Sequence, residues 1–226
     1  MKIGIIGAVE LEVAPFLDMM DNYAVTERAL LKFCEGHIAD VPVVVVFCGV
    51  GKVNAALATT LLIETFACEA VINAGTSGGM DARLRIFDTV VSTEVAHHDV
   101  DASILRDYHP HRESIYFPAG EGLLALAHQA AETVTDRQVL FGRMMTGEAF
   151  IDDSNRAPIF EKYAPLSVDM ETAAVAQVCA AFGLPYISVR SITDDAEHSG
   201  LGTFEENCAI AAQRSGDFVR AMLERM

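Results

Sequence analysis

Short β-branched runs alternate with longer helical runs along this sequence, and this alternation restricts its fold more than any other feature. Val43 to Val46 are four consecutive valines, so they predict a strand that is buried on both faces. Such strands, separated by helices, are typical of a largely parallel or mixed sheet with helices on both sides. The chain has 226 residues, the length of one domain of this kind, and we expect a single domain over residues 1–226.

The predicted elements follow this alternation from one end of the chain to the other. The predicted strands are Lys2–Gly7, Lys32–Ala39, Val43–Cys48, Ala70–Ala74, Asp88–Val95, Gln138–Met145, Leu166–Val168 and Tyr186–Ser191. The predicted helices are Glu10–Met19, Val53–Phe66, Gly122–Glu132, Ser154–Lys162, Met170–Phe182 and Phe204–Arg225. The second and fifth of these helices are apolar nearly all round, so we expect them in the core or at a subunit interface.

The net charge excludes several classes of partner. The chain has 16 Lys and Arg against 32 Asp and Glu, which gives −16 at pH 7. A chain of this charge repels the phosphates of nucleic acids and of anionic membrane surfaces, so we expect neither as a partner. The five cysteines are odd in number, scattered and without a C-x-x-C pair, which is typical of a protein of the reduced cytoplasm.

Neither end of the sequence nor its longest apolar run predicts a membrane or export signal. Glu10 and Glu12 interrupt the apolar opening before the core of a signal peptide could develop. The run Thr172 to Val189 is uncharged and 18 residues long, but Gly183 and Pro185 divide it into a helix and a strand. We therefore expect a cytoplasmic protein.

Two glycine-rich motifs resemble known cofactor and nucleophile signatures without completing them. Gly49-Val50-Gly51-Lys52 follows a strand, but it fits neither the dinucleotide fingerprint nor a Walker A loop, so we expect tight packing of strand against helix. Gly75-Thr76-Ser77-Gly78-Gly79 fits G-x-S-x-G, which makes Ser77 a candidate hydrolase nucleophile with His198 as its base. That motif needs a helix directly after it, whereas a strand pattern follows. The alternative is a turn that forms a polar cradle for a ligand oxygen.

The stretch from Ala96 to Gly120 predicts a long, irregular loop. It contains His97, His98, Asp99 and Asp101, side chains that suit several divalent ions. Their positions match no recognisable ligand spacing, so we predict no metal site and expect a loop that is solvated or lines a pocket.

Three acidic residues and one arginine occupy the carboxyl ends of predicted strands. Glu12 follows the first strand, Glu171 opens the helix after the seventh, and Asp194 follows the strand that carries Arg190. Each acid could simply favour a helix terminus or cap a turn. Open α/β sheets bind ligands at this edge, however, so the set predicts a ligand site.

The residues around these positions resemble a known family. The motifs are Gly4-Ile5-Ile6-Gly7-Ala8 with Glu12, Gly49-Val50-Gly51-Lys52-Val53-Asn54-Ala55, Ile72-Asn73-Ala74-Gly75-Thr76, Gly147-Glu148-Ala149-Phe150-Ile151, Asp169-Met170-Glu171 and Val189-Arg190-Ser191-Ile192-Thr193-Asp194. Together they are similar to the 5′-methylthioadenosine/S-adenosylhomocysteine nucleosidases of the purine nucleoside phosphorylase superfamily. The resemblance implies a three-layer α/β/α sandwich around a twisted mixed sheet. It also implies a homodimer that hydrolyses the N-glycosidic bond of 5′-thio-substituted adenosines without a metal or redox cofactor.

The resemblance also implies a role for each matching residue. Glu12 would activate water, Asp194 would protonate the departing adenine, and Glu171 would hold the ribose hydroxyls. The remaining contacts would be Met170 and Val9 near the sugar, Arg190, Thr76 and Thr193 around the reacting groups, Phe150 and Ile151 on adenine, and Phe204 beside the 5′ group. This chemistry needs an acid at the leaving group and a base at the water, because cleavage passes through an oxocarbenium-like sugar.

Three alternatives remain open beside the nucleosidase interpretation. Related phosphorylases carry arginines in the first loop and on the strand before the Gly-rich segment, where this chain has Glu10, Glu12 and Asn73; we therefore expect water rather than phosphate as the nucleophile. A serine esterase using Ser77 and a non-catalytic nucleoside-binding protein are the alternatives from other classes.

The sequence departs from the family pattern near the sugar and in one loop. Val9 replaces the usual Met, Asp169 the usual Glu, and Thr76 and Thr193 a common Ser. The segment Ser103 to Phe117 does not match the family's aromatic cover of the 5′ group. Its cationic residues, Arg106, His109 and Arg112, could select a carboxylated 5′ group, as in a futalosine-type substrate, or could be solvated.

Overall fold

The structure, a computed structural model, describes residues 1–108, 113–195, 198 and 200–226. These residues form ten strands and seven helices. The strands are β1 (Ile3–Gly7), β2 (Ala24–Arg28), β3 (Leu31–Ile38), β4 (Val41–Phe47), β5 (Ala70–Gly79), β6 (Thr89–His97), β7 (Phe117–Pro118), β8 (Val139–Thr146), β9 (Ser167–Asp169) and β10 (Tyr186–Asp194). The helices are α1 (Glu10–Asp18), α2 (Lys52–Glu64), α3 (Ala102–Asp107), α4 (Glu121–Ala131), α5 (Arg156–Tyr163), α6 (Thr172–Phe182) and α7 (Leu201–Leu223).

All ten strands belong to one mixed sheet in the order β10-β6-β8-β9-β5-β1-β4-β3-β2, with β7 paired to β6. The central pairs β4–β1, β1–β5 and β5–β10 are parallel, whereas the β2–β3–β4 meander is antiparallel. The short strand β7 pairs with β6, and the short strand β9 lies between β8 and β5.

Apolar side chains on the two faces of the sheet build two separate cores. Along β4, Val43 and Val45 pack into one core, whereas Val44 and Val46 pack into the other. This period of two confirms that the valine run forms a strand buried on both faces. Helices α2 and α6 cover one face, and α1, α4 and α7 cover the other, so the predicted three-layer α/β/α sandwich is confirmed.

Strand β5 changes its neighbour halfway along its length. One of its edges pairs with β10 throughout, while the other pairs with β1 over residues 70–73 and with β9 at Gly78 and Gly79. Because β10, β6, β8, β9 and β5 pair in a circuit, the sheet closes on itself at this end. The separation of β1 from β9 leaves an opening beside residues 74–77.

Gly75 lies in this opening, and its backbone has φ +148°. A Cβ at this position would lie 2.3 Å from the Oε1 atom of Glu12, so no larger residue fits while that carboxylate occupies the opening. The turn expected at residues 75–79 is wrong. This segment continues strand β5, because β9 and β10 supply hydrogen-bonding partners there.

Three short elements were not predicted from the sequence. Strand β2 is an edge strand with mostly exposed side chains, and helix α3 and strand β7 lie within the expected loop Ala96 to Gly120. Each is too short or too exposed to produce a hydrophobic period. The uncharged run does divide as predicted, with α6 ending at Gly183 in the left-handed conformation. Among the described helices, none combines the length and hydropathy that a membrane span requires.

The β2–β3 hairpin provides a test of local backbone strain. Its two turn residues, Ala29 and Leu30, both have positive φ, at +50° and +67°, and the Leu30 side chain is fully exposed. This turn geometry favours Asn and Gly. Leu30→Gly is expected to raise the free energy of unfolding by about 0.5–1 kcal/mol, measured in urea, because glycine carries no left-handed penalty. Leu30→Ala removes the exposed apolar group but keeps a Cβ, so equal stability of the two variants would contradict this prediction.

Candidate active site

A cavity of about 290 Å³ opens where β1 and β9 separate along β5. The segments that follow β1, β8 and β9 line it, together with the ends of β5 and β10 and the first turn of α7. This is the carboxyl edge of the parallel strands, where α/β sheets usually bind ligands. Most of the lining is apolar, and the polar groups described below are concentrated at its base.

Glu12 lies at one end of the cavity and is 2% exposed. It belongs to the first turn of α1, and its Oε2 atom accepts hydrogen bonds from the backbone N–H groups of Ala8 at 2.6 Å and Val9 at 3.3 Å. Its Oε1 atom accepts from the backbone N–H and the hydroxyl of Thr76, at 2.7 and 2.8 Å. All of these groups donate hydrogen bonds to the carboxyl oxygens, so they fix the side chain in position.

Arg190 is fully buried at the base of the cavity and pairs with three carboxylates. Its nitrogens lie 3.5 Å from Glu12, 3.5 Å from Asp169 and 3.4 Å from Glu171. It also donates to the side-chain oxygen of Asn73 at 2.7 Å. Burial by itself would lower the pKa of Arg190, but the three carboxylates raise it, so the guanidinium stays charged. We call Arg190, Glu12, Asp169 and Glu171 the arginine cluster.

Asp169 connects this cluster to the start of α6. It accepts hydrogen bonds from the hydroxyl of Thr146, from the backbone N–H groups of Glu171 and Thr172, and from the hydroxyl of Thr172. The residue that departs from the family pattern here is thus a positioning group that caps a helix and orients Glu171.

Glu171 is 3% exposed, and its Oε1 atom accepts the backbone N–H of Gly51 at 2.9 Å. Burial raises its pKa to about 7, and the charges of Asp169 and Glu12 act in the same direction. Arg190 and the Gly51 bond oppose the shift. The Gly49–Lys52 segment therefore does pack strand against helix, and it also holds a cavity carboxylate.

Asp194 lies at the other end of the cavity, at the end of β10. Its Oδ1 atom accepts the hydroxyl of Thr193 at 2.8 Å, while Oδ2 is buried and has no hydrogen-bond partner among the described residues. Burial raises the pKa of this carboxyl, and neighbouring Asp195 also raises it, whereas Thr193 and Arg156 lower it. A buried acid with one uncommitted oxygen is suited to holding and donating a proton.

Strand β5 sets the spacing between Glu12 and Asp194. Glu12 is bonded to Thr76, and a Cβ at Gly78 would lie 3.2 Å from the Oδ2 atom of Asp194. Thr76 and Gly78 are two residues apart, which is about 7 Å in an extended strand. The two acids therefore face one cavity from two sides, far enough apart for a substrate group to lie between them.

The outer wall of the cavity is apolar. Phe150 and Phe204 meet edge to face, with ring centroids 6.3 Å apart, and Phe150 is 37% exposed. Ile151, Met170 and Leu201 continue this wall. Such a wall can bind a flat aromatic ring and an uncharged substituent.

An ion pair outside the cavity anchors the segment that carries Phe150. Lys52 donates to both carboxylate oxygens of Asp99, at 2.8 and 2.9 Å, and Asp99 accepts the backbone N–H of Glu148. Glu148 in turn accepts the backbone N–H of Lys52 at 3.1 Å, at the start of α2. Asp99 thus holds the segment that carries Phe150 in position through these hydrogen bonds.

All the site residues predicted from the sequence lie around this one cavity. They are Val9, Glu12, Thr76, Phe150, Ile151, Met170, Glu171, Arg190, Thr193, Asp194 and Phe204. Their chemical roles stay predictions. Ala8, Val50, Gly78, Ala149, Val168 and Leu201 also line the cavity and were not predicted, because small or apolar residues carry no chemical signature in a sequence. Asp169 lines it too, as does Ser77, the candidate nucleophile of the esterase alternative.

The structure does not support a serine esterase. The Ser77 hydroxyl is buried inside β5 and has no hydrogen-bond partner among the described residues. His198, its candidate base, is exposed, does not line the cavity, and pairs with Asp195 at 3.2 Å. The strand continues past Ser77, so the strained turn that exposes such a nucleophile is absent at this position.

The loop histidines and cations have separate surroundings. His97 is buried against Gln177, and Asp101 caps α3. Across the described part of the chain, no group of three or more His, Cys, Asp or Glu side chains is arranged to hold a metal ion. Arg106 lies on α3 and does not line the cavity, while His109 and Arg112 lie outside the described residues. Selection of a carboxylated 5′ group by these residues stays a prediction.

Comparison with known proteins identifies the class to which this fold and site belong. The family model for the phosphorylase superfamily matches residues 2–224, which is nearly the whole chain. A 5′-methylthioadenosine/S-adenosylhomocysteine nucleosidase from Bacillus pumilus is 39% identical over 229 residues, which cover 100% of this chain and 99% of that protein. Within the phosphorylase superfamily, the chain belongs to the 5′-methylthioadenosine/S-adenosylhomocysteine nucleosidase family, and its enzyme class is nucleosidase.

Solved structures agree with this assignment. The nucleosidase from Neisseria meningitidis, in complex with methylthio-immucillin-A, has a TM-score of 0.92 and 31% identity, covering 100% of this chain and 99% of that one. The futalosine hydrolase of Helicobacter pylori has a TM-score of 0.90 and 29% identity, covering 100% and 98%. The same fold therefore occurs in hydrolases that are named for different 5′ groups.

The raised pKa of Glu171 predicts a pH dependence of stability. Folding raises this pKa from 4.5 to about 7, so the folded protein retains a proton that the unfolded chain releases. The stabilisation is fully present below pH 4.5 and is lost as pH rises through 7. Glu171→Gln mimics the protonated acid, so its free energy of unfolding should rise relative to wild type by about 2 kcal/mol between pH 5 and pH 8.

Urea unfolding at both pH values measures this difference. Glu10→Gln is the matched control, because Glu10 is an exposed acid outside the arginine cluster. The difference between its free energy of unfolding and that of wild type should not change with pH. A flat difference for Glu171→Gln as well would contradict the prediction.

Proposed function

We propose that this protein hydrolyses the N-glycosidic bond of 5′-methylthioadenosine and S-adenosylhomocysteine, releasing adenine and the 5′-thioribose. The observation that carries the proposal is the pair of acids at opposite ends of one cavity. Glu12 is surrounded by hydrogen-bond donors, while Asp194 is buried with one free oxygen. Two carboxyls in such different surroundings can act as base and acid in one reaction.

Glu12 is suited to activate water. In the proposed step its carboxylate takes a proton from a water molecule as the water oxygen bonds to C1′ of the ribose. The carboxylate can do this because donors at Ala8, Thr76 and Arg190 fix its position. Positioned proton transfer of this kind is typically worth about 10²–10⁴-fold in rate.

Asp194 is suited to protonate the leaving group. As the bond from C1′ to adenine N9 breaks, its electron pair moves into the purine ring, and N7 takes the proton from Asp194. Burial raises the pKa of this acid, which favours retention of the proton before the reaction. Each turnover leaves Glu12 protonated and Asp194 ionised, and proton exchange with solvent restores both groups.

The arginine cluster is suited to the sugar. Three acidic side chains around one guanidinium leave an excess of negative charge near C1′ even when Glu171 carries a proton, and this excess favours the positive charge that develops on the ribose. Glu171 can also accept hydrogen bonds from the ribose hydroxyls, since its Oε2 atom is held only by the 3.4 Å contact with Arg190 among the described residues.

The same excess favours water over phosphate as the nucleophile. A phosphate dianion needs free cationic donors, but the one cation that lines the described cavity, Arg190, is already paired with three carboxylates. Asn73, where related phosphorylases carry an arginine, accepts a hydrogen bond from Arg190 and donates one to the Ile6 carbonyl. We therefore expect cleavage that does not depend on phosphate, and no cofactor.

The apolar wall supports an aromatic base and a neutral 5′ group. Phe150 is positioned to stack on adenine while backbone groups of Ile151 read the edge of the base, and Phe204 would border the 5′ substituent with Val9 and Met170 near the sugar. A carboxylated 5′ group as in futalosine is the second candidate, because a futalosine hydrolase shares the fold.

We also propose that the enzyme is a cytoplasmic homodimer that associates through α2. One face of this helix packs on the core, but Val50, Val53 and Leu57 are 48%, 80% and 44% exposed. Val53 and Leu57 lie one turn apart on α2, and Val50 lies just before the helix, so these apolar side chains at the surface favour contact with a second copy. Of the two locations expected for this helix, the core accounts for one face, and we propose the subunit interface for the other.

Adenine release tests the proposed reaction. Wild type should release adenine from 5′-methylthioadenosine equally with and without phosphate, measured by chromatography. Glu12→Gln and Asp194→Asn should each lower kcat/KM by about 10²–10⁴-fold while melting near the wild-type temperature, because each removes one proton transfer. Asp81→Asn, which alters an acid paired with Arg83 at the surface, is the matched control and should leave kcat/KM unchanged.

Other outcomes would assign other functions. A phosphate requirement with formation of a sugar 1-phosphate would identify a phosphorylase, and faster turnover of futalosine would identify the second candidate. Tight nucleoside binding without turnover would identify a binding protein. Fluorophosphonate labelling that disappears in Ser77→Ala would support the serine esterase alternative.

Light scattering after size exclusion tests the homodimer. Wild type should have twice the 24.4 kDa chain mass, whereas Val53→Glu should shift toward the monomer because it places a charge in the apolar contact. Leu30→Glu introduces the same charge at a fully exposed leucine on the β2–β3 hairpin and should remain dimeric. A wild-type mass of one chain would contradict the prediction.

A further inference from the structure

Arg156 is a buried cation beside the active site that the reaction described above does not use. It is the first residue of α5, and it is 8% exposed. Its guanidinium donates to the backbone carbonyl of Gly79, at the end of β5, and to that of Asp195, just past the end of β10, at 3.4 Å. It also contacts the Met80 sulfur at 3.6 Å. The cation therefore joins the end of β5 to the segment that follows β10, next to Asp194.

Within the described part of the chain, Arg156 forms one ion pair, with the uncommitted oxygen of Asp194. Its Nη2 atom lies 3.9 Å from Oδ2, which is too far for a hydrogen bond but close for an electrostatic interaction in a buried site. The guanidinium therefore favours the ionised form of Asp194 without occupying the oxygen that must carry the proton. Protein carbonyls hold the cation in place, so its position does not depend on Asp194.

The other groups around Asp194 define its charge environment in the described structure. Strand β5 presents Gly78 and Gly79, which are uncharged, and α7 presents Asn207, which donates to the Thr193 carbonyl. Asp195 is the second charged neighbour, and it is bonded in turn to His198. One cation and one anion thus act on the acid in opposite directions.

We propose that Arg156 is a positioning residue that strengthens Asp194 as a proton donor. Donation leaves a buried carboxylate, and the nearby guanidinium stabilises that charge as it forms. Burial and Asp195 keep the proton in place before the reaction, and Arg156 makes it easier to transfer. The proposal rests on the proposed function, in which Asp194 protonates adenine.

The pH profile of kcat/KM tests this role. Activity on 5′-methylthioadenosine should fall on the alkaline side as Asp194 loses its proton. Arg156→Met removes the cation, so the alkaline limb should move to higher pH by about one unit and the plateau should fall about tenfold. Arg156→Lys keeps a cation and should leave the alkaline limb at its wild-type pH. Asp195→Asn removes the opposing charge and should move the alkaline limb to lower pH.

A second substrate separates proton donation from a structural effect. A 4-nitrophenyl 5-methylthioriboside has a leaving group that departs without protonation, so Arg156→Met should cleave it at nearly the wild-type rate. Arg156→Gln, which retains hydrogen-bond donors for the Gly79 carbonyl, provides an uncharged variant if the methionine variant does not fold. An unmoved alkaline limb, or equal losses on both substrates, would overturn the proposal. Failure of wild type to release adenine would instead overturn the proposed function.

Discussion

The buried pairing of Arg190 with three carboxylates is the interaction on which the rest of the site depends. Glu12 comes from the start of α1, whereas Asp169 and Glu171 lie at the junction of β9 and α6, far from Glu12 in the chain. Each would be costly to bury alone, and each is held by the same guanidinium. Arg190 is in turn fixed by Asn73 and by the Thr76 carbonyl, so the two adjacent strands β5 and β10 set its position.

This cluster exists because the sheet divides at its middle strand. Strand β5 gives one edge to β1 and then to β9, and the gap between these neighbours admits the Glu12 side chain over Gly75. A continuous sheet would fill this space with strand backbone. The irregularity of the sheet thus produces the cavity, and the regular strands around it make the cavity rigid.

Much of the fold was predictable because its signals are strong. Long periodic helices and the valine run of β4 predicted the layers, and acids at strand ends predicted where the cavity lies. The continuation of β5 through residues 75–79 was not predictable, because glycine-rich sequence normally indicates a turn and the strand depends on partners distant in sequence. Arg156 was missed for a related reason: an arginine at a helix start resembles a surface residue until the packing of α5 is known.

The closed circuit of strands divides the candidate machinery into two parts. Arg190, Glu171 and Asp194 lie on or directly after strands of the circuit, whereas Glu12 lies on α1, which follows β1 outside it. The residues proposed to act on the sugar and the leaving group therefore belong to the closed part of the sheet. The residue proposed to activate the nucleophile is placed by a single strand-to-helix connection. Such a division permits the attacking group to be exchanged by changing only the segment between β1 and α1. The geometry of the other candidate residues would stay the same.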